Sequence, residues 1–184
     1  MEAIKTYEYK GYIIEIHYDE WGESPREWDN LGTMATFSSR YDIGDAHNFT
    51  NAGELINYIN DNEDNLYYLP VYIYDHGGIA LSTSPFGDRW DSGQIGFIYM
   101  TKEKAKEEGI TEYEALDRLD REVKTMDDFV RGNVYGYKVF NDEGEELDSC
   151  WGYIGRIEDC EEAAESVADY YDRTLPKQYD LFCA

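Results

Sequence analysis

Carboxylates dominate the charge of this chain: 40 Asp and Glu residues stand against 16 Lys and Arg, which gives a net charge of −24. Repulsion among like charges opposes a compact state, so such a chain folds only if it has enough apolar residues to bury. Hydrophobic residues make up 42% of the sequence and aromatic residues 16%, with 18 tyrosines among them. We therefore predict a folded protein with an acidic surface and not a disordered acidic tail.

The acidic residues are concentrated in two blocks. Residues 11–100 hold 15 acids against 3 bases, and residues 141–184 hold 13 against 3, whereas residues 101–132 hold 10 against 7. A field of this sign repels nucleic-acid phosphates and anionic lipid, and it attracts basic proteins and divalent cations. We expect a partner with a basic surface, no direct nucleic-acid contact and no membrane. A coat of charge that only keeps the protein dissolved is the alternative.

Apolar and aromatic periodicity predicts eight strands separated by helices. The predicted strands are Thr6–Tyr9, Tyr12–Tyr18, Thr33–Ser38, Leu69–Tyr74, Ile79–Ser82, Gln94–Met100, Val134–Phe140 and Leu147–Ile154. The predicted helices follow capping residues at Asn51, Thr101, Thr111 and Asp159, and we expect capping boxes of Asn51 with Glu54 and of Thr111 with Glu114. Strands and helices come in unequal groups, so we predict an α+β fold: an antiparallel sheet with helices packed on one face, in a single domain over residues 1–184.

The third predicted helix has an apolar stripe. Tyr113, Leu116, Leu119 and Val123 recur at helical spacing, so we expect all four to pack on the sheet.

The cysteines and the N-terminus predict a cytoplasmic protein of the host cell. Cys150, Cys160 and Cys183 are odd in number and match no zinc-binding spacing, so we expect free thiols. No signal peptide is evident at the N-terminus, and no apolar run approaches the roughly 20 residues that span a bilayer.

The acidic blocks contain the residues that we expect to contact the partner. Carboxylates two apart on a strand lie roughly 6.6 Å from each other, and helical neighbours three or four apart lie about 5–6 Å from each other, which approximates phosphate spacing. The predicted partner-binding residues form a hairpin group, a helix group and a smaller third group: Glu143, Glu145, Glu146 and Asp148; Glu158, Asp159, Glu161, Glu162, Glu165 and Asp169; and Asp61, Glu63 and Asp64. Interleaved tyrosines would add rigid contact area.

Two polar loops offer a different kind of site. Each places a Trp directly before an Asp with an Arg close by, in residues 24–32 and 82–94. A lone Arg among carboxylates is usually a structural ion-pair hub. The functional alternative is a divalent-metal site, for which the candidate ligands are Asp29, Asp75, His76, Asp88 and Asp91. No P-loop, dinucleotide fingerprint or serine-elbow motif is present, so no catalytic residue is assigned and the chain is not expected to need a cofactor, apart from this divalent cation.

Three strings in the sequence carry a family resemblance: SPREWDNLGTM at Ser24–Met34, STSPFGDRWDSGQIGFIY at Ser82–Tyr99 and CWGYIG at Cys150–Gly155. They resemble a family of small acidic proteins encoded by phages, plasmids and other mobile elements of bacteria. Within that group the chain is similar to type II-A anti-CRISPR proteins, which inhibit Cas9. The resemblance implies an anti-defence protein and assigns no catalytic residues.

The sequence thus leaves two main hypotheses. The first is an anti-CRISPR or other anti-defence inhibitor, a DNA mimic that occupies the basic groove of Cas9 or another host nuclease with its acidic surface. The alternative is an enzyme, a metal-dependent hydrolase or nuclease that uses the loop carboxylates. A structural protein of the virion is a third class, for which the sequence offers no positive feature.

Overall fold

Strands and helices alternate irregularly along residues 2–38 and 40–174, the part of the chain that the computed structural model describes. The strands are β1 Lys5–Tyr9, β2 Tyr12–Tyr18, β3 Thr33–Thr36, β4 Leu66–Asp75, β5 Ile79–Ser82, β6 Ser92–Thr101, β7 Val134–Phe140 and β8 Glu146–Ile154. The α-helices are α1 Ala52–Asp61, α2 Lys102–Glu107, α3 Glu112–Val130 and α4 Ile157–Thr174. The predicted α+β class is confirmed.

The strands divide between two four-stranded antiparallel sheets, one in each of two compact units. The first unit comprises residues 2–23 and 132–174, and its sheet has the order β1-β2-β7-β8. The second unit is Ser24–Arg131, and its sheet has the order β3-β6-β4-β5. A single sheet was expected, but two form. Strand β2 pairs with β7, which follows it in the sequence only after the whole of the second unit, and the strands of the second unit pair with one another. The single-domain prediction stays a prediction.

In the first unit, α4 covers one face of the sheet. Lys10 and Gly11 both have positive φ, at 52° and 86°, which suits the tight turn between β1 and β2. Alternation in β2 then directs Ile14 and Ile16 to the face that α4 covers, where both are fully buried. The helix presents small residues to them, Cys160, Ala164 and Ala168, which are also fully buried.

On the opposite face of this sheet, Trp151 lies over a glycine. A Cβ atom on Gly136 would stand 2.5 Å from Cδ2 and 2.9 Å from Cζ3 of the Trp151 ring. His17 lies against the same ring, with 5.8 Å between the ring centroids. The glycine therefore makes room for the indole.

We predict that Gly136→Ala lowers the free energy of unfolding by about 1–3 kcal/mol, the usual cost of overpacking. Chemical denaturation measures the change. In a protein that already carries Trp151→Leu, Gly136→Ala should lower the free energy of unfolding by less than it does in the unmodified protein, because the obstructing ring is gone. Unchanged stability of Gly136→Ala would show that the indole does not pack on this glycine.

The second unit buries apolar residues on both faces of its sheet. On one face Met34, Val71 and Ile98 pack with Leu119 and Val123 of α3. On the other face α1 contributes two buried residues to a separate aromatic-rich cluster. Helices thus cover both faces of this sheet, whereas one covered face was expected.

Three details of the predicted helices differ in the structure. Tyr113 is 79% exposed and does not pack on the sheet, although Leu119 and Val123 are buried. Tyr113 lies roughly 125° around α3 from the buried side formed by Ala115, Leu119, Val123 and Met126, so it faces away from the sheet. The helix α4 begins at Ile157, so Asp159 lies in its first turn and is not its cap. At α1 the Asn51 side chain caps as expected, but Glu54 accepts its hydrogen bonds from Thr50.

Within residues 2–38 and 40–174, no helix combines the length and the apolarity needed to cross a membrane.

Candidate functional site

The acidic residues of α4 lie along one side of the helix. At about 100° per residue, six of its seven carboxylates fall within an arc of roughly 100°. These six are Glu158, Glu161, Glu162, Glu165, Asp169 and Asp172. The buried residues Cys160, Ala164 and Ala168 occupy a different part of the helix surface. We call the six residues the α4 acidic stripe; they include five of the six predicted helix residues, and Asp159 lies outside the arc.

The hairpin between β7 and β8 carries the second predicted group. Glu143, Glu145, Glu146 and Asp148 are all exposed. The Asn141 side chain organises the turn, because its Oδ1 accepts the backbone N–H groups of Glu143 and Glu145 at 3.1 and 2.8 Å. The structure therefore places ten of the thirteen predicted partner-binding residues in the first unit.

Some of these carboxylates are already paired. Lys5 Nζ lies 2.7 Å from Glu161 and Lys10 Nζ lies 2.6 Å from Asp169. The hydrogen bond from Lys10 holds the pKa of Asp169 below its usual value. Lys138 does the same for the pKa of Glu146, from which it lies 2.8 Å. Arg156 contacts Glu158 at 3.4 Å.

Pairing leaves a large negative excess in the first unit. Its described residues hold 18 Asp and Glu against 5 Lys and Arg, a net charge of −13. Among the predicted residues, Glu143, Asp148, Asp159 and Glu162 are exposed and have no ion pair within the described part of the chain. The surface remains strongly negative because there are too few cations to neutralise it.

The third predicted group lies in the second unit. Asp61 ends α1, and Glu63 and Asp64 belong to the short turn that follows it. All three are exposed.

In the first Trp-Asp loop, Arg26 is the centre of an ion-pair network. Its side chain is only 5% exposed. Its Nε and Nη2 donate to both carboxylate oxygens of Asp45 at 2.8 and 2.7 Å, and its Nη1 donates to Glu122 at 2.8 Å. Burial lowers the pKa of Arg26, but the hydrogen bonds to Asp45 and Glu122 raise it, and the net shift is upward. Arg26 has the structural role that a lone Arg among carboxylates suggested.

The predicted metal ligands are partly brought together at the end of the β4–β5 hairpin. Nδ1 of His76 lies 2.9 Å from Oδ2 of Asp91, and the Asp75 N–H donates to the Asp91 carbonyl at 2.8 Å. However, Arg40 and Tyr41 occupy the Asp75 carboxylate at 3.0 and 3.1 Å.

The other two candidate ligands have different surroundings. Oδ1 of Asp88 accepts the Trp90 N–H at 2.8 Å, which shapes the loop. Asp29 lines a cleft with Arg118 and Arg121. No group of three or more His, Cys, Asp or Glu within residues 2–38 and 40–174 is arranged to hold a metal ion. The divalent-cation site stays a prediction.

Two of the three cysteines lie in the described part of the chain, and both are free thiols. Cys150 is exposed and free, and Cys160 is free and buried. Burial raises the pKa of Cys160 to about 12. Cys183 lies outside the described residues.

The exposure of two tryptophans was not predicted from the sequence. Trp90 is 95% exposed and Trp21 is 84% exposed. The Trp90 loop is fixed, because Asp88 accepts N–H groups from Trp90 and Asp91. Large aromatic residues held in water are typical of binding surfaces. The signal was present in the sequence, since both residues lie in polar runs without apolar alternation.

Comparison with known proteins gives no relative: no protein-family model, curated protein or solved structure matches this chain.

Proposed function

We propose that this protein is an anti-defence inhibitor that binds a basic groove of a host nucleic-acid enzyme with the acidic surface of its first unit. The observation that supports this most is the α4 acidic stripe. Six carboxylates lie on one side of a helix that packs firmly on its sheet through fully buried residues. The aligned carboxylates present a row of negative charge that a basic groove could receive.

The dimensions of the stripe suit a surface that normally receives nucleic acid. An α-helix rises 1.5 Å per residue, so the interval from Glu158 to Asp172 covers about 21 Å. A row of phosphates of that length occupies several Lys and Arg side chains of an enzyme. Carboxylates on the stripe would meet the same side chains and speed association by electrostatic steering.

The helix bearing the stripe is held in place at its far end. The Tyr171 hydroxyl donates to the Leu147 carbonyl at 3.0 Å, which connects α4 to β8. Beside it, Tyr170 is 58% exposed. Tyr170 lies about 80° around the helix from the edge of the stripe, so it would supply contact area to one side of the aligned charges.

The target follows from the resemblance to anti-CRISPR proteins, which makes Cas9 the first candidate and another host nuclease, such as a restriction enzyme, the second. Cas9 holds its guide–target heteroduplex in a positively charged channel and recognises it mainly by its backbone geometry. An aligned acidic surface would compete for that channel without a need for base-specific contacts.

We predict that neutralising the stripe weakens this binding. The variant Glu158→Gln, Glu162→Gln, Glu165→Gln should bind guide-loaded Cas9 about tenfold to a hundredfold more weakly at low salt, because three charge contacts are lost. The matched control is Glu107→Gln, Glu108→Gln, Glu112→Gln, which removes the same charge from exposed positions of the second unit outside the predicted partner-binding groups. Surface-based binding measurements across a salt series, together with a DNA-cleavage assay, test both.

Two results would count against the proposal. If both triple variants lose affinity equally, total charge matters and the stripe does not. If the unmodified protein binds neither Cas9 nor a panel of restriction enzymes at low salt, the inhibitor function itself is wrong. Binding that does not change between low and physiological salt would contradict the electrostatic mechanism.

A further inference from the structure

A cleft of about 330 Å³ lies between the Trp28 loop and one side of α3 in the second unit. Trp28 and Leu31 contribute its apolar lining. Across from them, Arg118, Arg121 and Thr125 line it from positions three and four apart on α3, so they share one helix side. The volume falls at the lower end of the range found for small-molecule sites.

The loop wall of the cleft is fixed before any ligand arrives. Lys104 Nζ donates to the carbonyls of Asn30 and Leu31 at 3.1 and 3.0 Å. Asn30 Nδ2 donates to the Pro25 and Trp28 carbonyls at 2.8 and 3.0 Å. These bonds hold the loop that positions the half-exposed Trp28 ring, so little ordering is left for a ligand to impose.

Two arginines supply the positive charge at the helix wall of the cleft, and each has an acidic neighbour on α3: Glu114 lies near Arg118 and Asp117 contacts Arg121. Glu122 also lines it, but its carboxylate is taken up by Arg26 and by the N–H groups of Leu31 and Gly32. Oδ2 of Asp117 lies 2.8 Å from Nη2 of Arg121, and the other nitrogens of Arg121 take no part in that contact. Both arginines are exposed side chains, and a guanidinium can clamp a carboxylate or phosphate with two parallel hydrogen bonds.

Asp29 narrows the class of ligand. Its exposed carboxylate also lines the cleft and repels a bare anion. It would instead accept a hydrogen bond from an amine or hydroxyl group on the body of a ligand. The indole face of Trp28 suits a flat ring, since stacking on an aromatic side chain is favourable for any planar π-system.

We propose that this cleft binds a small organic anion that carries a flat ring, with the ring on Trp28 and the anionic group on Arg118 and Arg121. Two sources share this chemistry, nucleoside phosphates and aromatic carboxylates. The site belongs to the second unit and is independent of the proposed inhibitor function, which rests on the α4 acidic stripe.

Titrations followed by ¹H–¹⁵N NMR test the proposal. Two probes, adenosine monophosphate and indole-3-carboxylate, have both features of the proposed ligand, a flat ring and an anionic group. Adenosine has only the ring, and inorganic phosphate has only the charge. We expect at least one two-feature probe to shift the Trp28 indole N–H and the backbone amides of residues 118–125 with a Kd of about 1 mM or lower. The single-feature probes should bind about tenfold more weakly or worse. A response to adenosine monophosphate alone assigns the phosphate source, and a response to indole-3-carboxylate alone assigns the carboxylate source.

Matched variants separate the site from general charge and general stacking. Arg118→Gln with Arg121→Gln should weaken binding about tenfold. Lys106→Gln with Lys124→Gln removes the same charge from exposed positions outside the cleft and should leave the affinity within about twofold. Because these positions are exposed, all four substitutions should leave the fold intact, which thermal melting checks. The Trp90 indole, 95% exposed, reports non-specific stacking in the same spectra.

Three outcomes would overturn the proposal. One is the absence of any shift at Trp28 with either two-feature probe up to about 10 mM, an affinity too weak for a specific site. Another is a shift at Trp90 as large as that at Trp28. The third is equal binding of a single-feature probe, which would show that ring and charge are not recognised together.

Discussion

Replacing Arg26 by methionine is expected to lower the free energy of unfolding by about 3–5 kcal/mol, because it leaves buried charge uncompensated. The Arg26 side chain is 5% exposed and joins Asp45 to Glu122. Those two carboxylates are 22% and 14% exposed, so water can replace the lost partner only in part. Both also accept backbone N–H groups, which holds them in place after the arginine is gone.

Two further variants show that the loss arises from charge. Arg26→Lys keeps the charge but cannot form the two parallel bonds to Asp45, so it should lie between the parent and Arg26→Met. Adding Asp45→Asn and Glu122→Gln to Arg26→Met should recover part of the loss, because the unpaired charges are removed. Urea denaturation measures all three. A loss below about 1 kcal/mol for Arg26→Met would mean that the network stabilises the fold no more than an ion pair on the surface does.

Local signals in the sequence were sufficient for the elements themselves. The Lys10-Gly11 turn and the alternation in β2 define the first hairpin, and the Thr111–Glu114 capping box marks the start of α3 as predicted. These features depend on residues within a few positions of one another. Alternation along β2 puts Ile14 and Ile16 on the same face of the strand, and both are fully buried in the structure.

The pairing of distant strands could not be predicted in the same way. Register pairs Ile14 of β2 with Val139 of β7, and Met34 of β3 with Ile98 of β6. Alternation shows that a strand has an apolar face, but it does not say which strand will lie beside it. The two sheets result from these long-range strand pairings, whereas a single sheet was predicted.

The same difference between local and long-range information applies to the candidate site. Helical periodicity alone places Glu158, Glu162 and Glu165 on one side of α4. It does not show that Lys5 and Lys10 reach Glu161 and Asp169, which are 156 and 159 residues away in the sequence. Counting charges therefore overstates the free carboxylates of the stripe, and only the folded arrangement identifies those that remain open to a partner.

The central strand of the second unit contains a position where only glycine fits. Gly96 in β6 pairs with Thr36 of β3 and Val71 of β4. A Cβ atom there would overlap the Ala35 carbonyl oxygen and stand 2.8 Å from the Thr36 Cα. Both are backbone atoms of β3, so relief requires the whole strand to move, whereas at Gly136 a single ring can turn aside.

We therefore predict that Gly96→Ala costs about 3 kcal/mol, at the upper end of overpacking effects. Displacement of β3 would loosen Met34 and Ala35, which are fully buried in the cores on opposite faces of the sheet. Gly93→Ala is the matched control in the same strand, because a Cβ atom at Gly93 meets nothing within 4 Å. Urea denaturation should separate the two variants, and hydrogen exchange should show faster exchange of the β3 amides in Gly96→Ala alone. Equal stability of the two variants would mean that β3 does not pair with β6 as closely as the structure has it.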